Sequence, residues 1–124
     1  MGAEEIAIKD GDFEANARVD GVSLLRLSGN ADASSVHQLT SFVHDLHAKL
    51  LEAHAPELQI DIRSLEFMNA TCFNVLVSWV TLINDLPPGE RYKLRFATNP
   101  GIPWQRRSLR TLSCFATDLV LVET

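Results

Sequence analysis

The stretch Phe67 to Val80, FMNATCFNVLVSWV, sets an amide, a hydroxyl and a thiol side by side in Asn69, Thr71 and Cys72. An Asn at the start of a helix offers its side-chain oxygen to a backbone N–H two or three residues on, so Asn69 is a cap candidate. Met68 before it and Phe73 four after it have the spacing of a hydrophobic staple. A thiol in the first helical turn has its thiolate favoured by the helix dipole. No basic residue close to Cys72 in sequence adds to that effect, and burial would oppose it. Thiol catalysis would also need a base such as His and an oxyanion site, and no segment carries that pattern.

The remaining polar candidates are sparser. Asp61 stands on an apolar run, LQIDI, without a paired carboxylate to share acid and base roles. His37, His44, His47 and His54 lack a carboxylate or cysteine at metal-ligand spacing, so no metal is expected, although His44 and His47 are three apart and His47 lies near an apolar stripe. Arg106, Arg107 and Arg110, beside Trp104, form the concentrated basic cluster. It reads either as a solvated helix side paired with acids or as an anion contact for a nucleotide, a phospholipid headgroup or an acidic protein patch. No glycine-rich phosphate loop accompanies it, and no cofactor is expected.

These residues need elements to position them. FEANARV and VSLLRLS alternate on either side of Asp20-Gly21, the signature of a β-hairpin with a two-residue turn. A shorter strand over Glu5 to Lys9 precedes it. From Ala33 to Ala53, Val36, Leu39, Val43, Leu46 and Leu50 recur at helical steps, with Asp32, Ser34 or Ser35 available as the cap. Leu58 to Ile62 reads as a strand, and Ala70 to Asp85 as a helix stopped by Leu86-Pro87-Pro88-Gly89. Tyr92 to Thr98 is a further strand, Pro103 begins a helix carrying Trp104, Leu109 and Leu112, and Leu119 to Val122 closes the series. Strands first, then helix and strand in alternation, predict a mixed α/β sheet with helices on a face and right-handed crossovers.

The helix after Asn69 is apolar on two stripes. Phe73, Leu76, Val77, Val80 and Ile83 are expected to face the sheet. Val75, Trp79, Leu82 and Leu86 form a second stripe, to be covered either by a neighbouring helix or by a partner or second copy anchored on Trp79.

Composition bounds the function classes. With 124 residues and 46% hydrophobic content the chain is sized for a single domain, 1–124, with a real core. Its net charge of −5 argues against general nucleic-acid affinity. No apolar run approaches the roughly 20 residues of a membrane span. The opening MGAEEIAIKDGD lacks the basic and apolar regions of a secretory signal, and Ile6 stands where a myristoylation signal has Ser or Thr. The two cysteines, Cys72 and Cys114, make no disulfide framework. A soluble cytoplasmic protein is expected.

Three segments in series carry a family resemblance. LSGNADASSVHQL is similar to the LSG-x-L-D segment that opens the first helix of STAS domains, the modules of anti-sigma factor antagonists and sulfate transporter tails. LQIDIRSLEFMNATCFNVLVSWV resembles that family's strand, loop and helix with its D-S-S-G phosphorylation motif. NPGIPWQRRSLRTLSCF resembles its late helix. The resemblance covers nearly the whole chain and implies a STAS-like mixed sheet of four to six strands, three main helices mostly on one face, and a non-catalytic role in bacterial signalling and transcription regulation. It places Ala70 where the family has its phosphorylated Ser or Thr, Asn69 in place of the Asp, Cys72 in place of the Gly, and Thr71 at the second Ser, a displaced phosphosite. It implies a docking junction of Asn69, Ala70, Thr71 and Cys72, with Asn30, Asp32 and Ser64 near it. The partner would be an anti-sigma factor or kinase-like protein. The alternative is an accessory subunit of a lipid or anion transport system, using the second apolar stripe and the arginines.

Overall fold

The computed structural model describes residues 4–20 and 22–123. Its elements run β1 (Glu4–Asp10), β2 (Phe13–Val19), β3 (Ser23–Ala31), α1 (Val36–Glu52), β4 (Glu57–Met68), α2 (Ala70–Asn84), β5 (Lys93–Ala97), α3 (Pro103–Ser113) and β6 (Val120–Glu123), with short 3-10 turns at Ala33–Ser35 and Pro88–Glu90. The six strands form one mixed sheet in chain order, the first three antiparallel and the last four parallel. Every parallel step moves the same way across the sheet, so right-handed crossovers bring α1, α2 and α3 to one face.

Burial follows the strand pleat. Phe13, Ala15, Ala17 and Val19 of β2, Leu25 and Leu27 of β3, and Leu58, Ile60 and Ile62 of β4 turn toward the helices and join one core. The alternate residues, including Asn16, Arg18, Arg26, Gln59 and Arg63, face solvent. Such alternation is expected where only one side of a sheet is covered.

β2 and β3 are the hairpin strands expected around Asp20-Gly21. Gly21 lies outside the described residues, as do Met1 and Gly2 of the opening segment. Asp20 accepts a bond from the Val22 N–H at 2.8 Å. A second hairpin joins β1 to β2 through Gly11 and Asp12, with Asp10 paired to Phe13. Gly11 has φ +63°, the requirement at the first central position of a type II′ turn. This turn folds against β3, where Gly29 takes φ +85° and a Cβ would stand 1.9 Å from the Asp12 carbonyl oxygen. Only a glycine fits that approach.

Two expectations are corrected. β4 continues to Met68 instead of ending at Ile62, because its second half stays paired to β3 through two register shifts, between Arg26 and Ser28 and between Gly29 and Asn30. The buried stripe of α2 is also rotated from the expected one, comprising Cys72, Leu76, Trp79, Val80 and Ile83, with Phe73 and Val77 at its margin. Trp79 is wholly buried (0% exposed), so it cannot anchor an exposed interface. Its indole N–H donates to the Tyr92 hydroxyl at 2.6 Å, which lets the polar end of the ring enter the core.

Candidate functional site

The junction of β4 and α2 sits at the carboxyl end of the parallel strands, where open α/β sheets usually present their binding groups. Asn69 has extended backbone angles, φ −64° and ψ 150°, and its side-chain oxygen accepts from the Thr71 N–H at 2.7 Å. Its own N–H donates to the Ala31 carbonyl at 2.7 Å, which ties the end of β4 to the end of β3. The cap is therefore fixed from two sides. Met68 is buried and Phe73 packs against the same core, on either side of that cap.

Around Asn69 the chain assembles a polar rim. Asp32 caps the 3-10 turn before α1 by accepting from the Ser34 N–H at 2.9 Å and from its hydroxyl at 2.5 Å. Those bonds hold the Asp32 carboxyl below its ordinary range, led by the Ser34 hydroxyl. Asp10, at the end of β1, accepts from the Ser35 hydroxyl at 3.0 Å and lies 3.3 Å from the Ser34 hydroxyl, whose proton is shared chiefly with Asp32. Asp12 accepts from the Asn30 amide at 2.5 Å. Asp32 thus stands beside the first turn of α2, and the glycine turn carries Asp10 and Asp12 to the neighbouring loops, where they hold Ser35 and Asn30.

Cys72 is buried, and its thiol donates to the Asp32 carbonyl at 3.1 Å. Burial pushes its pKa up, with the nearby Asp32 charge adding to the effect, which removes the thiolate that redox or nucleophilic chemistry needs. As a surface contact Cys72 is corrected to a tether between α2 and the turn before α1. Ala70 and Thr71 are exposed, and the Thr71 hydroxyl makes no hydrogen bond among the described residues.

The structure therefore joins Asn30, Asp32, Asn69, Ala70, Thr71 and Cys72 in one place. Ser64 is set apart. It pairs with Ser28 and lines a polar depression on the open sheet face with Arg26, Asp61 and Arg63. There Asp61 takes a two-pronged bond from Arg63, at 3.0 Å on each arm, with Arg26 at 3.6 Å. The Arg63 bond, foremost, keeps Asp61 ionised below its usual range, so it is not a poised acid.

Sequence reasoning missed Asp10, Asp12 and Phe67. Phe67 is 46% exposed on the last turn of β4, in register with Asn30. A break in the β4 alternation after Ile62, with Leu65 and Met68 three apart, was the available signal. Asp10 and Asp12 carried none, since their place depends on Gly29.

The second stripe of α2 lines a groove between α1 and α2. Its volume is about 310 Å³, and Val36, Val43, His44, Val75 and Leu82 border it. Arg106, Arg107 and Arg110 are exposed on α3 and make no ion pair among the described residues. The adjoining Trp104 donates its indole N–H to the Glu66 carbonyl at 2.8 Å, fastening α3 to β4. No group of three or more His, Cys, Asp or Glu among the described residues is arranged to hold a metal ion. Nor is any described helix long and apolar enough to cross a membrane.

The sheet order, the one-sided helices and the capped α2 define a STAS-like fold. A solved structure to which the chain is similar is that of an anti-sigma factor antagonist from Mycobacterium paratuberculosis. The match has a TM-score of 0.58 and 17% sequence identity and covers 97% of this chain and 86% of that one. No protein-family model and no curated protein matches the sequence.

Proposed function

We propose that the chain is a single non-catalytic interaction module that binds a protein partner, as an anti-sigma factor antagonist or a scaffold of a related partner-switching assembly. The observation that carries this reading is the intact helix cap with Ala70 exposed at the position the STAS resemblance gives to the phosphorylated hydroxyl. The docking shape is kept while the usual acceptor is gone. Asn69, Ala70 and Thr71 would meet the partner directly, flanked by the carboxylates of Asp10, Asp12 and Asp32. Phe67 supplies an exposed aromatic anchor beside them, the kind of residue that dominates binding energy at interface centres. A partner with a basic rim and an apolar socket fits this surface. Thr71 is the exposed junction hydroxyl left for a kinase, and a dianionic phosphate there would alter the shape of the contact while attracting a basic rim, so it would not act as a simple repulsive switch.

The test is affinity capture from lysate of the native host, with quantitative mass spectrometry. A protein recovered in stoichiometric amount on the wild-type chain should be lost with Ala70→Glu and with Phe67→Ala, and retained with Lys93→Ala on the open sheet face. Equal recovery on all four chains would overturn the docking assignment. Incubation of the chain with ATP and that partner should leave it unphosphorylated.

The α1–α2 groove and the three exposed arginines, which make no ion pair among the described residues, favour a second reading, an accessory subunit of a lipid or anion transport system. In that case the captured protein is a transporter subunit, and Val75→Asp, not Ala70→Glu, releases it.

A further inference from the structure

β1 is an edge strand. β2 pairs with it along one side, and no described residue pairs with it along the other. Its seven residues run in unbroken register, without the bulge or proline that commonly protects such an edge. The two-residue turn makes Asp10 and Phe13 a hydrogen-bonded closing pair, so bonding to β2 falls on alternate residues and the backbone groups of Glu5, Ala7 and Lys9 point outward.

The sequence of the edge is complementary to itself. When a second EEIAIKD strand lies antiparallel with Ala7 opposite Ala7, Glu5 falls opposite Lys9 of the other copy, twice by symmetry. Within one chain Glu5 already stands beside Arg18 and Lys9 beside Glu14, the latter with an ion pair at 3.7 Å. The row across the joint would then read Glu14, Lys9, Glu5, Arg18, with charge alternating at every step. On the helix face Ile6 meets Ile8 of the other copy. Both are half-buried in the single chain and border a groove of about 470 Å³ between β1 and α1, with Phe42 at its side. A second strand would bring two more isoleucines to it.

We propose that β1 pairs antiparallel with β1 of a second copy of this chain, centred on Ala7, and joins the two sheets into one. Outward backbone bonds supply the adhesion, the isoleucines exclude water on one face, and the two Glu5–Lys9 pairs set the register on the other. The two-fold axis turns the docking ends of the copies in opposite directions, so the assembly is bivalent. This proposal does not rest on the docking reading.

Sedimentation equilibrium on the full chain tests it. The wild-type chain should reach twice the chain mass. Glu5→Lys sets two ammonium groups against each other at both charge pairs, and Lys9→Glu sets two carboxylates there. Each variant alone should therefore associate about tenfold or more weakly, with an unchanged circular dichroism spectrum. An equimolar mixture of the two variants restores attractive pairs between unlike chains and should restore the dimer. A wild-type monomer at about 1 mM, the weak end of specific association, would overturn the proposal. So would a dimer insensitive to both variants, or a mixture that stays monomeric.

Discussion

Gly29 determines more of the candidate site than any polar residue in it. Its positive φ and the 1.9 Å at which a Cβ would meet the Asp12 carbonyl oxygen mean that Gly29→Ala must push the β1–β2 turn away. A stability loss of at least about 1–3 kcal/mol is expected in urea unfolding, from backbone strain alone. Nothing in LSGNAD distinguishes this glycine from a turn residue, because the clash partner lies on another hairpin. Asn69 was legible, since capping depends on the residue itself and its immediate neighbours. Asn69→Ala should cost about 0.5–2 kcal/mol, whereas Asn69→Asp should retain the cap and stability. The burial of Cys72 was not legible, as its hydrogen-bond acceptor is the Asp32 carbonyl, brought close by the β3–β4 pairing. With a thiol reagent under native conditions, exposed Cys114 should be modified promptly and Cys72 only on unfolding, as read by mass spectrometry. Equal rates would put Cys72 at the surface.

At the scale of elements, α1, α2 and the start of β5 meet in a polar knot inside the apolar layer. Tyr92 accepts from Trp79 and shares a second hydrogen bond with His47 Nδ1 at 2.6 Å, in which the phenol is the donor when the neutral imidazole carries its hydrogen on Nε2. Burial, foremost, and His44 lower the His47 pKa. The folded state therefore favours neutral His47. Its stabilising effect is complete above the ordinary histidine pKa and is lost as pH falls through that value toward the lower folded one. Denaturant midpoints should drop between about pH 7.5 and about pH 5, and His47→Gln should flatten part of that slope. Tyr92→Phe would strand the buried Trp79 N–H, at about 1–3 kcal/mol. Element positions were mostly readable from periodicity. The exact orientation of α2 was not, because two apolar stripes satisfy helical spacing; the buried face keeps Leu76, Val80 and Ile83 of one and takes Trp79 from the other, whose indole is met by the Tyr92 hydroxyl thirteen residues on.

For the whole molecule, one sheet face is sealed by helices and the other is a lattice of charge. Arg95 forks to Glu57 at 3.0 Å on each arm and reaches Glu123 at 3.1 Å, linking three strands. Solvent screens these groups, so Arg95→Ala should leave the urea midpoint almost unchanged. A clear drop would mean that the open face is covered. The mixed sheet and its helix-bearing face were legible because hydrophobic alternation reports which side of a strand is wet. The gathering of Asp10, Asp12 and Asp32 on neighbouring loops was not, since it arises only once the sheet has closed.

Because spatial order repeats chain order across all six strands, each strand finds its neighbour as the next one or two elements are made. The antiparallel pairings close tight turns, and each parallel pairing, such as Ser23 with Leu58 or Glu57 with Lys93, spans a single helical crossover, so the closure cost rises only slowly along the chain. Assembly can proceed strand by strand from one side, like courses laid on a wall, and no late segment has to insert between strands already joined.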